Sequence, residues 1–150
     1  MEIIDIKKDC SYLKEYIEIC NLEWGKQRSK EEMENYIIDK TRRILTEEKV
    51  ISILGLVDND ILLGFISLFK YEDEYRDREP WYATIYIKKE YRKRGYSKLL
   101  NDALLNEARR LGYDKVYLKT DLVNFYEKFG AEYIKDLNNG EKLYCINLGE

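Results

Sequence analysis

The residues with the clearest chemical potential form a basic run in the middle of the chain. Ile85, Tyr86 and Ile87 read as the end of a β-strand, and an amphipathic helical pattern begins at Tyr96. The free N–H groups and positive dipole end of such a helix make an anion site, and Gly95 allows a compact turn before it. The connection carries the cations Lys88, Lys89, Arg92, Lys93, Arg94 and Lys98. The ligand expected here is a multiply charged phosphate compound.

Each part of this segment also has a purely structural interpretation. A glycine between a strand and a helix is often only a turn, and a basic run is often a solvated surface. The segment is neither a GxxxxGK[ST] phosphate loop nor a GxGxxG dinucleotide loop, because Gly95 is its only glycine.

Composition excludes several kinds of chemistry. The 150 residues include no histidine, so a Ser-His-Asp or Cys-His triad and a His-ligated metal site are ruled out. Cys10, Cys20 and Cys145 have no CxxC spacing, so we expect neither a disulfide framework nor a metal site. A net charge of −3 argues against a general nucleic-acid or membrane-surface binder. With no signal peptide and no membrane-spanning segment in the sequence, a cytoplasmic protein is expected.

The rest of the chain supplies the elements that must position the basic run. Apolar residues recur with a helical period over 10–24 and 96–111, and a capping box of Ser29 and Glu32 begins a helix that continues to about residue 48. Strands are predicted at 2–6, 49–57, 61–71, 81–88, 114–120, 131–137 and 141–147, with a short helix at 122–129. This order predicts one α/β (α+β) domain over 1–150. Its mixed, mostly antiparallel sheet has about seven strands, a central β-α-β crossover and helices on both faces.

Three short segments resemble those of a known superfamily. Arg92-x-x-Gly95-x-Ser97 is similar to the R/Q-x-x-G-x-G/A acyl-CoA motif of the GNAT superfamily of acyl-CoA N-acyltransferases. The segment FYEKFGA at 125–131 resembles its F-Y-x-x-x-G-F segment, and Pro80-Trp81 is similar to the PW of a bacterial branch. The spacing of the first two segments and the order of elements also match. The resemblance therefore covers essentially the whole chain.

The resemblance implies acetyl-CoA as co-substrate, no metal, and a set of binding residues. Backbone N–H groups of 94–98 would bind the pyrophosphate, and nearby basic side chains would meet the 3′-phosphate. The strand predicted at 81–88 would splay from its parallel neighbour at 114–120 and bind the pantetheine amides. One of its N–H groups, near Tyr86 or Ile87, would stabilise the oxyanion of a tetrahedral intermediate. The implied CoA-binding residues are Ile85, Tyr86, Ile87, Arg92, Lys93, Arg94, Gly95, Tyr96, Ser97 and Lys98.

Tyr126 is the catalytic residue that the resemblance implies. A phenol with a pKa of about 10 is protonated at neutral pH and can donate its proton to a leaving thiolate whose conjugate acid has a pKa of about 8.5. The alternative is that Tyr126 is simply a buried core aromatic. Three positions depart from the superfamily pattern. Ser97 and Ala131 replace the usual residues, and Asn124 lies too close to Tyr126 to contact the pantetheine arm as an asparagine does in many relatives.

The general base is not identified by the sequence. The loop before the fourth strand contains Glu72, Asp73, Glu74, Asp77 and Glu79. These acids could deprotonate the acceptor amine, act through water, attract a cationic acceptor, or form only a solvated loop. Trp24 and Trp81 could wall the acceptor site, although two core tryptophans would give the same pattern.

The resulting hypothesis is a cytoplasmic N-acetyltransferase. It would move an acetyl group from acetyl-CoA to a primary amine of a small molecule or a protein, by direct attack in a ternary complex. Two alternatives keep the fold: an enzyme that uses a longer acyl-CoA, and a catalytically silent CoA-binding sensor or partner module. An RNA-contacting patch at 88–98 is disfavoured by the net charge, and neither a nucleic-acid nor a membrane partner is expected. Dimers are common among such enzymes, so a homodimer is a further expectation.

Overall fold

A computed structural model describes residues 1–149 and contains seven strands and three α-helices in that range. The strands are β1 (Glu2–Asp5), β2 (Val50–Asp58), β3 (Ile61–Phe69), β4 (Trp81–Ile87), β5 (Lys115–Thr120), β6 (Ala131–Asp136) and β7 (Lys142–Asn147). The helices are α1 (Leu13–Trp24), α2 (Lys30–Thr46) and α3 (Tyr96–Arg110). These bounds lie within a few residues of those predicted from periodicity and capping.

All seven strands form one sheet, in the order β1-β2-β3-β4-β5-β7-β6. Only β4 and β5 are parallel, and α3 forms the crossover between them. Every other neighbouring pair is antiparallel. The predicted mixed, mostly antiparallel sheet with a central β-α-β crossover is therefore confirmed.

The helices lie on opposite faces of the sheet. Leu13, Tyr16 and Ile17 of α1 and Ile44 of α2 share a buried cluster with Phe65 of β3. The apolar side of α3 packs against the other face. We call the buried cluster there, which includes Leu100, Leu104, Ala108, Ile66 and Leu68, the α3 cluster. Because β3 is covered on both faces, its sequence is almost continuously apolar rather than alternating.

The predicted helix at 122–129 is wrong. Only the single 3₁₀ turn Glu127–Phe129 forms there, and Asn124 has a φ of +63°, which a helix does not permit. Helix nucleation is costly, and so short a segment gains few intrahelical bonds. Here Phe125, Tyr126 and Phe129 pack against the α3 cluster instead. Their spacing reflects that packing.

No helix within residues 1–149 has the length and apolar character needed to span a membrane.

Candidate functional site

The N-terminus of α3 presents unpaired backbone N–H groups. Lys93 has a φ of +66° and Gly95 a φ of +81°, so the chain turns sharply before the helix begins at Tyr96. The first helical bond joins the Leu99 N–H to the Gly95 carbonyl at 3.3 Å. The N–H groups of 96–98 have no backbone acceptor within residues 1–149, and no side chain caps this end. A helix start of this kind binds anions.

The start of α2, in contrast to that of α3, is capped by side chains. The Ser29 hydroxyl accepts from the Glu32 N–H at 3.1 Å, and the Glu32 carboxylate accepts from the Ser29 N–H at 2.8 Å. This capping box satisfies two N–H groups that would otherwise need a ligand or water. The start of α3 has no such cap, so its N–H groups stay available to a ligand or water.

The basic run contains fewer available cations than its sequence suggests. Lys88 forms an ion pair with Glu15 of α1 at 2.6 Å, and Lys98 forms one with Asp102 at 2.7 Å. The Arg92 Nε atom donates to the Ile87 carbonyl at 2.8 Å. Within residues 1–149, the side chains without a carboxylate partner are those of Lys89, Arg92, Lys93 and Arg94. This group still gives the loop a positive field.

A cavity of about 530 Å³, here called the loop cavity, lies beside this turn. It is lined by Ile85, Tyr86, Ile87, Tyr91, Arg92, Lys93, Gly95, Tyr96, Ser97, Leu122 and Phe125. Of the predicted CoA-binding residues, only Arg94 and Lys98 do not line it. Tyr91, Leu122 and Phe125 were not predicted to line it. Phe125 begins the second motif and Tyr91 directly precedes the first, whereas Leu122 has no sequence signal.

A gap separates β4 from β5 beyond their first residues. The two strands pair only at Trp81 and Tyr117, where the Tyr117 N–H also donates to the Pro80 carbonyl at 2.9 Å. The remaining residues of β4 pair with β3 and those of β5 with β7, so each strand has a free edge toward the gap. This is the splayed geometry that the sequence comparison implied.

A β-bulge at Thr84 bends β4 at the gap. Ile85 lies opposite Ile66 and Ala83 lies opposite Ser67, which leaves Thr84 as the additional residue with a φ of +29°. This conformation is strained for a β-branched side chain. The Thr84 hydroxyl donates to the Ser67 hydroxyl at 2.5 Å, and Ser67 in turn lies 2.8 Å from the hydroxyl of Tyr16. Hydrogen bonds from the core therefore hold the bulge in place.

A second cavity of about 410 Å³, here called the tyrosine cavity, opens on the gap. It is lined by Trp24, Phe69, Glu72, Trp81, Tyr82, Ala83, Thr84, Ile85, Leu118, Lys119, Tyr126 and Glu141. Ile85 lines both this cavity and the loop cavity. The two cavities therefore meet on β4, and Tyr126 lies on the side away from the basic loop.

Two buried tyrosines stand together in the tyrosine cavity. The rings of Tyr126 and Tyr82 meet edge to face, with 5.6 Å between their centroids. Burial raises the pKa of Tyr126 above its ordinary value, so this phenol stays protonated at neutral pH. The hydroxyl of Tyr82 is buried and has no hydrogen-bond partner within residues 1–149. Its place at the gap was not predicted, because Tyr82 belongs to neither motif.

One acid of the loop before β4 reaches the tyrosine cavity. Glu72 lines it, and its carboxylate lies 3.4 Å from the Lys119 ammonium. Glu141 of the β6–β7 connection lines it as well. Other loop acids have different partners: Asp73 pairs with Lys49, and Glu79 accepts from the Tyr113 hydroxyl. Asp73 and Glu79 thus have structural contacts, and Glu72 is the acid of this loop that lines the cavity.

The two tryptophans differ in burial although both line this cavity. Trp81 is 1% exposed, and its indole N–H donates to the Arg78 carbonyl at 3.0 Å. Trp24, at the end of α1, is 55% exposed. Trp81 thus combines a core role with a place in the cavity wall, whereas Trp24 forms part of its rim. Within residues 1–149, no three Cys, Asp or Glu side chains are grouped so as to hold a metal ion.

The arrangement matches known proteins in sequence and in structure. The L-ornithine N5-acetyltransferase of Arabidopsis thaliana is 29% identical over 85 residues, which is 52% of this chain and 37% of that protein. The structure of an aminoglycoside 6′-N-acetyltransferase complexed with coenzyme A superposes with a TM-score of 0.74 at 18% identity, over 100% of this chain and 98% of the other. The PaiA N-acetyltransferase of Thermoplasma acidophilum, in complex with coenzyme A, superposes with a TM-score of 0.62 at 21% identity, over 98% and 99%.

These structural likenesses concern the fold, and the chain spans little more than a third of the curated relative. The family model described as Acetyltransferase (GNAT) family matches residues 13–131, which include α1, the bulged strand, the basic loop and Tyr126. The chain therefore belongs to the GNAT family of acetyltransferases.

Proposed function

We propose that the protein transfers the acetyl group of acetyl-CoA to a primary amine of a small molecule, by direct attack within a ternary complex. The observation that carries the proposal is the gap between β4 and β5. It joins a cavity with free N–H groups and cations to a cavity with a protonated phenol and carboxylates. An anionic donor and a cationic acceptor thus have separate entrances to one reaction point.

The loop cavity fits the phosphate end of the donor. The N–H groups at the start of α3 supply hydrogen-bond donors, and Arg92 and Lys93 supply charge at the cavity wall. Gly95 has open space where a side chain would project, so a phosphate can approach the backbone closely. The free edge of β4 supplies peptide groups for the pantetheine amides.

The chemical step forms a C–N bond and breaks a C–S bond. The neutral amine attacks the thioester carbonyl, and a backbone N–H of β4 between 85 and 87 stabilises the oxyanion. The intermediate then expels the thiolate, which takes the proton of the Tyr126 hydroxyl, and the acylated nitrogen loses one proton, which returns Tyr126 to its protonated form. The raised pKa of Tyr126 keeps this proton in place until the thiolate forms.

Glu72 is our candidate for binding the acceptor and accepting its proton. An amine is mostly ammonium at neutral pH and must lose a proton before it attacks. Glu72 is the acid of the 72–79 loop that lines the tyrosine cavity, and its side chain is 18% exposed. Because its carboxylate pairs with Lys119, an acceptor ammonium would compete with that lysine. Trp24 and Phe69 offer aromatic faces for the rest of the acceptor.

A small cationic amine is the acceptor class that these walls favour. The names of the similar proteins, an ornithine N5-acetyltransferase and an aminoglycoside 6′-N-acetyltransferase, support the same class. The tyrosine cavity, at about 410 Å³, has room for a molecule of that size.

The test is thiol release from acetyl-CoA with a panel of amines: polyamines, aminoglycosides, ornithine and N-terminal peptides. We expect turnover with one of the small cationic amines and little with peptides. A parallel series of longer acyl-CoA donors tests the acetyl group. Tight CoA binding without turnover on any amine would favour a sensor module of the same fold, and absence of CoA binding would overturn both.

A further inference from the structure

A separate cleft of about 240 Å³ lies between α1 and α2, and we call it the helix cleft. Its lining residues are Tyr16, Ile17, Cys20, Asn21, Trp24, Gly25, Tyr36, Lys40, Phe69 and Thr84. Trp24, Phe69 and Thr84 also line the tyrosine cavity. The two spaces therefore adjoin at the bulge of β4, and a molecule whose amine lies at the gap can extend toward α2.

Lys40 is a half-buried cation in the helix cleft, and the carboxylates that share a neighbouring cavity with it, those of Glu47 and Asp73, pair with other cations. It takes part in no ion pair within residues 1–149, whereas the neighbouring Arg43 pairs with Glu47 at 3.2 Å and Lys49 pairs with Asp73 at 3.2 Å. Burial, followed by the charges of Arg43 and Lys49, lowers the pKa of Lys40. Burying a charge is costly unless an opposite charge compensates it. An anion bound in the cleft would supply the opposite charge that Lys40 lacks.

Asn21 supplies a second donor in the same cleft. Its side-chain oxygen accepts from the Arg28 Nε atom at 2.9 Å, which leaves the amide NH₂ group as a donor. Arg28 is fixed in turn, because its guanidinium lies 3.7 Å from the centroid of the Tyr36 ring. An ammonium and an amide NH₂ match the two oxygens of a carboxylate. Tyr36 and Lys40, one helical turn apart, both face this space.

We propose that the helix cleft binds a carboxylate at the far end of the acceptor, with Lys40 as its ion-pair partner and Asn21 as a second hydrogen-bond donor. The acceptor is then an amino carboxylate rather than a simple amine. Its amine lies toward Glu72, its stem lies against Trp24 and Phe69, and its carboxylate reaches α2. The two charges of such a molecule meet opposite charges at the two ends of the joined cavities. This inference rests on the proposed acetyl transfer and specifies its substrate class.

The test compares an amine that carries a carboxylate with an amine of the same chain length that does not. The probes are 6-aminohexanoate and hexylamine, measured by calorimetric binding to the CoA-loaded protein and by thiol release from acetyl-CoA. We expect native protein to bind 6-aminohexanoate at least about tenfold more tightly than hexylamine, as for a charge-assisted hydrogen bond. Lys40→Met should abolish this difference by weakening the binding of 6-aminohexanoate. Lys30→Met removes the same charge from an exposed lysine of α2 outside the cleft and should preserve the difference.

The outcomes separate this inference from the proposed function. Equal binding of the two probes to native protein, or a preference that survives Lys40→Met, would overturn the carboxylate site even if both amines are acetylated. Lys40-dependent binding of 6-aminohexanoate without any acetylation would support the site and count against acetyl transfer. Acetate alone is the third probe. If acetate binds in a Lys40-dependent way but does not displace 6-aminohexanoate, and hexylamine binds as tightly as 6-aminohexanoate, the cleft holds a free anion and not the acceptor.

Discussion

At the scale of single residues, Tyr126 has the environment of a proton donor. It is 9% exposed, it lines the cavity at the gap, and burial raises its pKa. Tyr126→Phe removes the proton but keeps the ring that packs against Tyr82 and Phe125. We expect kcat to fall by well over tenfold, in the range of general-acid catalysis, while the Kd for CoA changes little.

The pH profile of the native enzyme tests the same role of Tyr126 independently. Because the acid must be protonated and its pKa is raised, native activity should not decline on the alkaline side until the pH exceeds about 10. The rate should rise below that limit as the acceptor amine loses its proton. An unchanged kcat in Tyr126→Phe would make Tyr126 a core aromatic.

Tyr82 gives a prediction about stability. Its buried hydroxyl has no partner within residues 1–149, so Tyr82→Phe removes a desolvated group without breaking a hydrogen bond. The free energy of unfolding should rise by about 1 kcal/mol at neutral pH. Tyr16→Phe is the matched contrast, because that equally buried tyrosine hydrogen-bonds to Ser67 and its loss should destabilise the protein. Urea denaturation measures both variants.

Tyr82 also gives a prediction at high pH. Burial raises the pKa of Tyr82 in the folded protein, whereas the unfolded chain ionises near pH 10. The stability linked to this phenol is therefore complete below about pH 10 and is lost as the pH rises further. Tyr82→Phe should reduce that alkaline loss. If Tyr82→Phe instead destabilises the protein at neutral pH as much as Tyr16→Phe does, the Tyr82 hydroxyl has a hydrogen-bond partner in solution.

At the scale of elements, the sequence predicts what local pattern determines and misses what packing determines. The period of α3 and the capping box of α2 predicted these two helices correctly. The helix at 122–129 failed because tertiary contacts decide the conformation of a segment that short. The Thr84 bulge has no local signal, since threonine ordinarily favours regular strands.

The site follows the same division. The residues of the basic loop and Tyr126 lie within contiguous motifs, so a sequence comparison finds them. Trp24 and Lys40 reach the cavities from α1 and α2, more than forty positions before β4 in the chain. The sequence offers Trp24 as a possible wall of the acceptor site but cannot distinguish it from a core tryptophan. Nothing near Lys40 indicates its role, because only the packing of both helices against β3 brings these residues to the gap.

The open start of α3 yields a prediction in which stability and binding change in opposite directions. Ser97 is the second residue of that helix, where an acidic side chain interacts well with the free N–H groups and the dipole. Ser97→Asp should raise the free energy of unfolding by about 0.5 kcal/mol. It should also raise the Kd for CoA by at least about tenfold, because the new carboxylate competes with the pyrophosphate and repels it.

Ser97→Ala provides the control for that experiment. It removes the hydroxyl without adding charge, so its Kd for CoA should stay within about threefold of the native value, the cost of one weak contact. Thermal unfolding and calorimetric titration measure the two quantities. If Ser97→Asp binds CoA as tightly as the native protein, the start of α3 is not the phosphate site.

At the scale of the whole molecule, the sheet has two parts joined by little direct pairing. β1 to β4 form one antiparallel set and β5 to β7 form another, with the Trp81–Tyr117 pair as the strand pairing between them. The α3 cluster also spans both, since it holds Leu68 of β3 together with Val116 and Ile146 of the second set. The free energy of joining the two parts thus comes mainly from side-chain packing on one face.

This division predicts an uneven response to the donor in amide hydrogen exchange. Without ligand, β5 to β7 can separate from β4 at the gap by losing one paired residue on each strand and part of the α3 packing. Amides of β5 and β7 should therefore exchange faster than those of β2 and β3. CoA that bridges the loop cavity and the gap stabilises only the closed arrangement. At about 100 times its Kd, it should slow β5 and β7 exchange by up to about 100-fold. Equal protection of both sets without CoA, or no selective slowing with it, would show that the sheet opens as one unit.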